Sequence, residues 1–135
     1  MSAFADRLQQ VYGLLQQGRT VEAGLALAPL LQEFPREPAV YRALATVQQM
    51  AGRHDDAVEA MRRAILMAPR DVNLQADLGQ TLAAAGRTDE AIAAFSQAVA
   101  LQPDFAAGWY LLGMTAYGVE RAREALDALR RAAAL

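Results

Sequence analysis

The chain has no cysteine and no lysine, a single histidine, and aromatic residues at only 7% of its length. Each shortage removes a class of function. Without cysteine there is no disulfide, no thiol nucleophile and no thiolate zinc site. With His54 alone, a multi-histidine metal site cannot be assembled within one chain. All 13 basic residues are arginine, read here as a compositional bias of the genome rather than a site. The formal charge of −2 supplies no field that would attract nucleic acid or an anionic membrane. No apolar run approaches the ~18–20 residues needed to cross a bilayer. Asp6 and Arg7 interrupt what would be the apolar centre of a signal peptide. These features predict a soluble, cytoplasmic chain, unless residues upstream have been removed.

Apolar residues, mainly alanine and leucine, make up 54% of the 135 positions. Both lose little side-chain entropy in a helix, whereas β-branched residues are few and nothing alternates with a period of two. The composition predicts an all-α protein, and the length suits one domain or a short repeat array.

A repeat is visible. Gly-Arg occurs at 18–19, 52–53 and 86–87, and proline at Pro35, Pro69 and Pro103, with successive members 34 residues apart. Behind each Gly-Arg the chain reads TVEA, HDDA or TDEA, so Ala23, Ala57 and Ala91 share a column that Ala125 continues. The fourth unit departs from the pattern, with Glu120 at the glycine position and Gly118 two residues earlier. A fixed period of 20–50 residues marks a repeat architecture.

Each unit divides into two helical segments. In the third, Leu78, Gly79 and Leu82 share one face, as do Ala91, Phe95 and Ala98, at spacings of three and four. Gly86 stands where the first helix must stop, suited to a left-handed C-cap. Thr88 is expected as the N-cap of the second helix, with Asp89 and Glu90 favouring its dipole. Pro103 ends that helix. Small residues at Ala45, Gly79 and Gly113 are expected to let the paired helices approach closely. Leu44, Leu78, Leu112 and Phe95 are expected to fill the space between neighbouring hairpins.

These residues resemble the tetratricopeptide repeat (TPR) family. The match is Tyr41, Leu44, Ala45, Ala57, Met61, Ala64 and Pro69 in the second unit; Leu78, Gly79, Ala91, Phe95, Ala98 and Pro103 in the third; and Trp109, Leu112, Gly113, Ala125, Leu129 and Ala132 in the fourth. The first unit departs, with Arg7 and Gln10 at the aromatic and leucine positions and Leu30 at a small one, as suits a terminal repeat with one wet face. The resemblance implies a right-handed α-solenoid of four helix hairpins, about eight helices, forming a single array over 1–135 with units 4–37, 38–71, 72–105 and 106–135.

Candidate chemistry is sparse. His54 begins a helix where threonine stands in other units, and reads as exposed or weakly capping. Asp55-Asp56 and Asp89-Glu90 recur in register, so helix-start electrostatics explain them better than a metal does. The Gly-Arg pairs lack the GxxxxGK pattern and strand context of a phosphate loop. Trp109 reads as a packing residue. No catalytic, cofactor-binding or metal-ligating set is expected, and the chain is read as a non-enzyme.

The resemblance further implies a concave wall lined by the first helix of each unit, binding a protein or peptide segment. The matching positions are Tyr12, Arg42, Thr46, Gln49, Asn73, Asp77, Gln80, Tyr110, Met114 and Tyr117. Its amides and tyrosines suit an extended peptide backbone, while methionine and tyrosine offer apolar contact. A carboxylate-clamp specificity is not expected, because Leu8, Tyr12, Ala43, Asn73 and Asp77 occupy the columns where paired basic residues and asparagines would stand. After "REALDALRRAAAL" the chain ends at Leu135, with an expected apolar face around Leu111, Leu126 and Leu129. That face suggests a homodimer or domain exchange through the C-terminal helix, or the leading part of a longer protein. The alternatives to a peptide scaffold are a substrate-positioning module of a larger bacterial enzyme and a self-associating structural module.

Overall fold

A computed structural model describes residues 3–118 and 122–135. Eight helices occur among the described residues, and no strand: α1 (Ala3–Gln16), α2 (Thr20–Glu33), α3 (Pro38–Met50), α4 (His54–Met67), α5 (Val72–Ala84), α6 (Thr88–Leu101), α7 (Ala106–Gly118) and α8 (Ala122–Ala134). They form four hairpins, distributed over two compact units, Met1–Ala68 and Pro69–Leu135. Glu120, where the fourth unit departs from the repeat, lies outside the described residues.

The hinge of each of the first three hairpins has one construction. Gly18, Gly52 and Gly86 have φ of 75°, 80° and 79°, the left-handed region that side chains other than glycine's resist. The next residue then turns its N–H back to a carbonyl five positions earlier: Arg19 to Leu14 (2.9 Å), Arg53 to Gln48 (2.8 Å) and Arg87 to Leu82 (2.9 Å). This is the Schellman closure, which satisfies carbonyls that a helix end leaves orphaned.

The same arginine opens the following helix. The expected capping by Thr88 is not found: Thr88 is already the first helical residue, and the cap position is Arg87, with no side-chain cap hydrogen bond. Instead the Arg87 guanidinium donates to both carboxylate oxygens of Glu90 at 2.8 Å. Arg53 repeats the pairing with Asp56 at 2.9 Å and Arg19 with Glu22. With its N–H tied back into the old helix, the arginine leaves no turn of chain in which a threonine could sit outside the new one. True side-chain capping occurs at α5, where the Asp71 carboxylate accepts from the Asn73 N–H at 3.0 Å.

In the first unit, Val11 and Leu15 of α1, Ala23, Leu27 and Leu30 of α2, and Val40 and Ala43 of α3 form one buried cluster. Leu30, the large residue at a small-residue position, is fully buried there. Phe4 and Phe34 close the open end of this hairpin, ring centroids 4.6 Å apart and tilted by 58°. Arg7, at the expected aromatic position, pairs with Glu33 on the surface instead.

In the second unit the small residues are explained by contact. A Cβ built on Gly79 would lie 2.4 Å from Cε1 of Phe95, and one on Gly113 would lie 2.7 Å from Cγ of Leu129. Those glycines let α5 approach α6, and α7 approach α8, closely enough for the large residue to lie across the partner's backbone. Ile92, Ala116 and Ala125 form a second buried cluster, with Leu112 packed against it.

Candidate interaction surfaces

Within each unit the first helices of the two hairpins touch, α1 with α3 and α5 with α7. Their outward residues therefore belong to one local surface per unit.

In the second unit α5 contributes Asn73 and Gln80, both exposed, and the half-buried Asp77. The neighbouring helix α7 carries no charged residue, and beyond its first residue, Ala106, its exposed positions fall on one stripe: Ala107, Tyr110, Met114 and Tyr117, at spacings of three, four and three. Tyr110, Met114 and Tyr117 are 54%, 47% and 68% exposed, high values for large apolar side chains. Three consecutive such residues on one helix stripe are a contiguous patch rather than the scattered exposure of an ordinary surface. Amide groups on α5 thus lie beside aromatic and thioether groups on α7.

The first unit offers a more polar version. Arg42 is exposed, and Thr46 and Gln49 are half-buried on the same helix. The Thr46 hydroxyl donates to the Arg42 carbonyl at 3.1 Å, so its proton is committed within α3. Thr81 and Thr115 donate likewise to Asp77 and Leu111, at 2.9 and 2.7 Å. Tyr12 is divided in role: its ring packs against the cluster of α1, α2 and α3, leaving part of the side chain at the surface.

Trp109 is half-buried and points away from the α7 stripe. Its Nε1–H donates to the Pro103 carbonyl at 2.8 Å, and the Arg131 guanidinium carbon lies 4.8 Å from the ring centroid. The indole is thus held by its own unit, in the packing role its position suggests, with a cation–π contact of about 0.5–1 kcal/mol.

A second open surface runs between α7 and α8. A groove of about 420 Å³ is lined by Ala106, Ala107 and Tyr110 on one side and Leu129, Ala132 and Ala133 on the other. Leu126 stands beside it, 50% exposed, and Leu111 is half-buried. The apolar face expected around Leu126 and Leu129 is therefore present, and Tyr110, assigned to the wall from its repeat position, also borders it. No signal in α7 could have shown this, because a helix apolar all round does not reveal which stripe is covered.

Among the described residues no group of three or more His, Asp or Glu side chains is placed to hold a metal ion. None of the described helices is long and apolar enough to cross a membrane.

A family model described as tetratricopeptide repeat matches residues 14–80 and, overlapping, 48–115. The chain belongs to the tetratricopeptide repeat family. Solved structures agree on the fold. MamA is similar over 96% of this chain and 76% of its own, with a TM-score of 0.82 and 20% identity. PilF of Pseudomonas aeruginosa gives 0.84 at 24% identity, over 96% of this chain and 60% of its own. YrrB, described as a TPR protein with an unusual peptide-binding site, gives 0.77 at 22% identity, over 96% and 67%. A search of curated proteins found no match to the sequence. The architecture is an all-α helical solenoid, and its family is one of generally non-catalytic protein-interaction modules, which supports a protein-binding scaffold.

Proposed function

We propose that this TPR chain binds a peptide or protein segment on the concave surface that the first helices of such an array line. One observation carries the reading: on the touching helices α5 and α7, exposed amides of Asn73 and Gln80 lie beside the exposed stripe of Tyr110, Met114 and Tyr117. An extended peptide has unpaired backbone N–H and C=O groups every residue, which amide and phenol groups can satisfy. Tyrosine and methionine add contact area at low conformational cost or with an adaptable shape. The mixed surface lacks a cluster of like charge in either unit, which favours an uncharged or modestly acidic segment, the latter through Arg42. YrrB, with its peptide-binding site on the same fold, makes a peptide ligand a reasonable class to test.

The test is a peptide-array screen of the full chain. The same array is then probed with a variant carrying Arg42→Ala, Asn73→Ala, Gln80→Ala and Tyr110→Ala. All four side chains are exposed, so folding should persist, as checked by helical circular dichroism. Binding to selected peptides is expected to fall at least about tenfold, the loss of little more than one good polar contact. Binding that survives all four substitutions refutes the assignment.

A further inference from the structure

The hairpin of α3 and α4, internal to the chain, carries a polar residue where the other repeats are apolar. Gln48 occupies the column of Leu14, Leu82 and Ala116. Leu82 and Ala116 are almost wholly buried, and an amide gains nothing from such a column unless its polar atoms are partnered. Oε1 of Gln48 is buried and accepts no hydrogen bond. The same side chain lines a cavity of about 220 Å³, together with Leu44 of α3 and Asp56, Glu59, Ala60 and Arg63 of α4. All six residues belong to the first compact unit.

The charges around this cavity are ordered along it. The Arg53 N–H donates to the Gln48 carbonyl at 2.8 Å, which puts Gln48 at the hinge end, beside the first turns of α4. Asp56 and Glu59 lie in those turns. Arg53 holds Asp56 at 2.9 Å, but its contacts fall on Oδ2 alone. Glu59 and Arg63 have the i,i+4 order that favours an ion pair, yet neither makes an ion pair or hydrogen bond among the described residues. Arg63 stands about 10 Å along α4 from Asp56. With Arg53 spent on Asp56, Glu59 leaves the hinge end negative.

We propose that this cavity receives a cationic side chain, lysine or arginine, of a partner protein. Such a side chain joins an aliphatic stem to a head that carries donors only. The stem suits Leu44 and Ala60. The head suits the acceptors of the hinge end: Gln48 Oε1, the Glu59 carboxylate and Oδ1 of Asp56. An acidic side chain would meet two carboxylates there, and an apolar one would leave the buried amide oxygen unsatisfied. The site lies on α3 and α4, apart from the wall of α5 and α7, so its test does not depend on peptide binding by that wall.

The experiment is an NMR titration of the isotope-labelled full chain with Nα-acetyl-lysine amide and Nα-acetyl-arginine amide. Nα-acetyl-citrulline amide serves as the uncharged shape of arginine. A side chain without the rest of its protein binds in the millimolar range, so each probe is taken to about 50 mM. The two cations are expected to give saturable shifts at the backbone amides of Gln48, Glu59 and Ala60, with citrulline at least about tenfold weaker. Glu59→Gln should weaken cation binding at least about threefold. Gln48→Leu should do the same without a lower melting temperature, because leucine occupies this column at Leu14 and Leu82. Asn73→Ala, in the second unit, should leave binding unchanged. Shifts that never saturate, or citrulline bound as well as arginine, overturn the proposal in favour of a cavity filled by water. Binding that survives Glu59→Gln, an exposed position where folding should persist, overturns the site even where Gln48→Leu proves unstable.

Discussion

Replacing Gly79 by alanine sets two effects of opposite sign against each other. On propensity alone the change should stabilise α5, since alanine is about 0.8–1.0 kcal/mol better than glycine inside a helix. The packing says otherwise. The new Cβ would lie 2.4, 2.6 and 2.7 Å from Cε1, Cδ1 and Cζ of Phe95, whereas carbon atoms pack best at about 3.5–4.0 Å. The ring must retreat by about 1 Å, and at 1% exposure it has no free volume to enter. Overpacking costs about 1–3 kcal/mol, and three contacts under 3.0 Å to one buried ring put this case at the upper end, so after the propensity gain of about 1 kcal/mol the net destabilisation is about 1–2 kcal/mol. Thermal melts followed by helical circular dichroism should show a fall of several degrees. The hairpin one repeat earlier suggests the remedy: Ala45 and Met61 stand where Gly79 and Phe95 do, and both are buried. Phe95→Met, with an unbranched and adaptable side chain, should therefore suffer little further loss when Gly79→Ala is added, giving a favourable coupling of about 1 kcal/mol or more. Gly113→Ala supplies a milder contrast: Leu129, 2.7 Å from the new Cβ, is only half-buried and can shift, although the Ala125 carbonyl oxygen at 3.2 Å cannot, so that substitution should cost somewhat less. A Gly79→Ala protein that melts at or above the parent temperature would falsify the packing account.

At the hinge, Gly86→Ala should cost about 1–2 kcal/mol, because φ of 79° penalises a Cβ although nothing lies within 4 Å of one. Arg87→Ala, which removes two hydrogen bonds to Glu90, should cost only about 0.2–0.5 kcal/mol, since the pair is solvated and its N–H closure survives. Urea unfolding of both variants decides the order, and a larger loss for Arg87→Ala would mean that the ion pair, not the backbone, holds the turn. Thr81→Val removes a buried hydroxyl that donates to the Asp77 carbonyl within α5, and should cost about 0.5–1.5 kcal/mol. A loss above about 1.5 kcal/mol in the same assay would show that the hydroxyl has a partner outside its own helix.

The features legible in the sequence were those imposed by local backbone geometry. A left-handed turn needs glycine, a helix stop favours proline, and a close crossing needs a small residue, so Gly86, Pro103 and Ala91 recur wherever the geometry does. The helix starts were misplaced by one residue for a related reason. Thr88 looks like a cap in isolation, but the Schellman closure at Gly86 draws the Arg87 N–H backward and brings the new helix to begin immediately. Hydroxyl chemistry was legible only as an inventory: Thr46 is exposed enough for a ligand to reach, yet its proton is committed to α3. The surface on α7 was harder still. Tyr110, Met114 and Tyr117 could be assigned to a wall from repeat position, but exposure depends on what covers a helix, and α7 is apolar on every side.

That ambiguity has a consequence for interpreting mutants. Columns that recur along the array are satisfied by the hairpin's own geometry, so their substitution reports on stability. Columns that change identity while staying exposed are the ones free to carry specificity. Tyr110 breaks this division. Its counterpart Ala76 is buried beneath the next hairpin, while Tyr110 is 54% exposed, beside the α5 amides on one flank and the α8 groove on the other. A lost function in Tyr110→Ala alone therefore cannot distinguish a contact made beside the α5 amides from one made along the α8 groove. Gln80→Ala removes a polar group one helix away from the groove, and Leu126→Glu alters the groove without touching α5. If the peptide is held by α5 and α7 alone, Gln80→Ala weakens its binding and Leu126→Glu leaves it unchanged in the peptide-array screen. A folded Leu126→Glu protein that has lost its peptide would instead mean that the two surfaces act as one, joined through Tyr110.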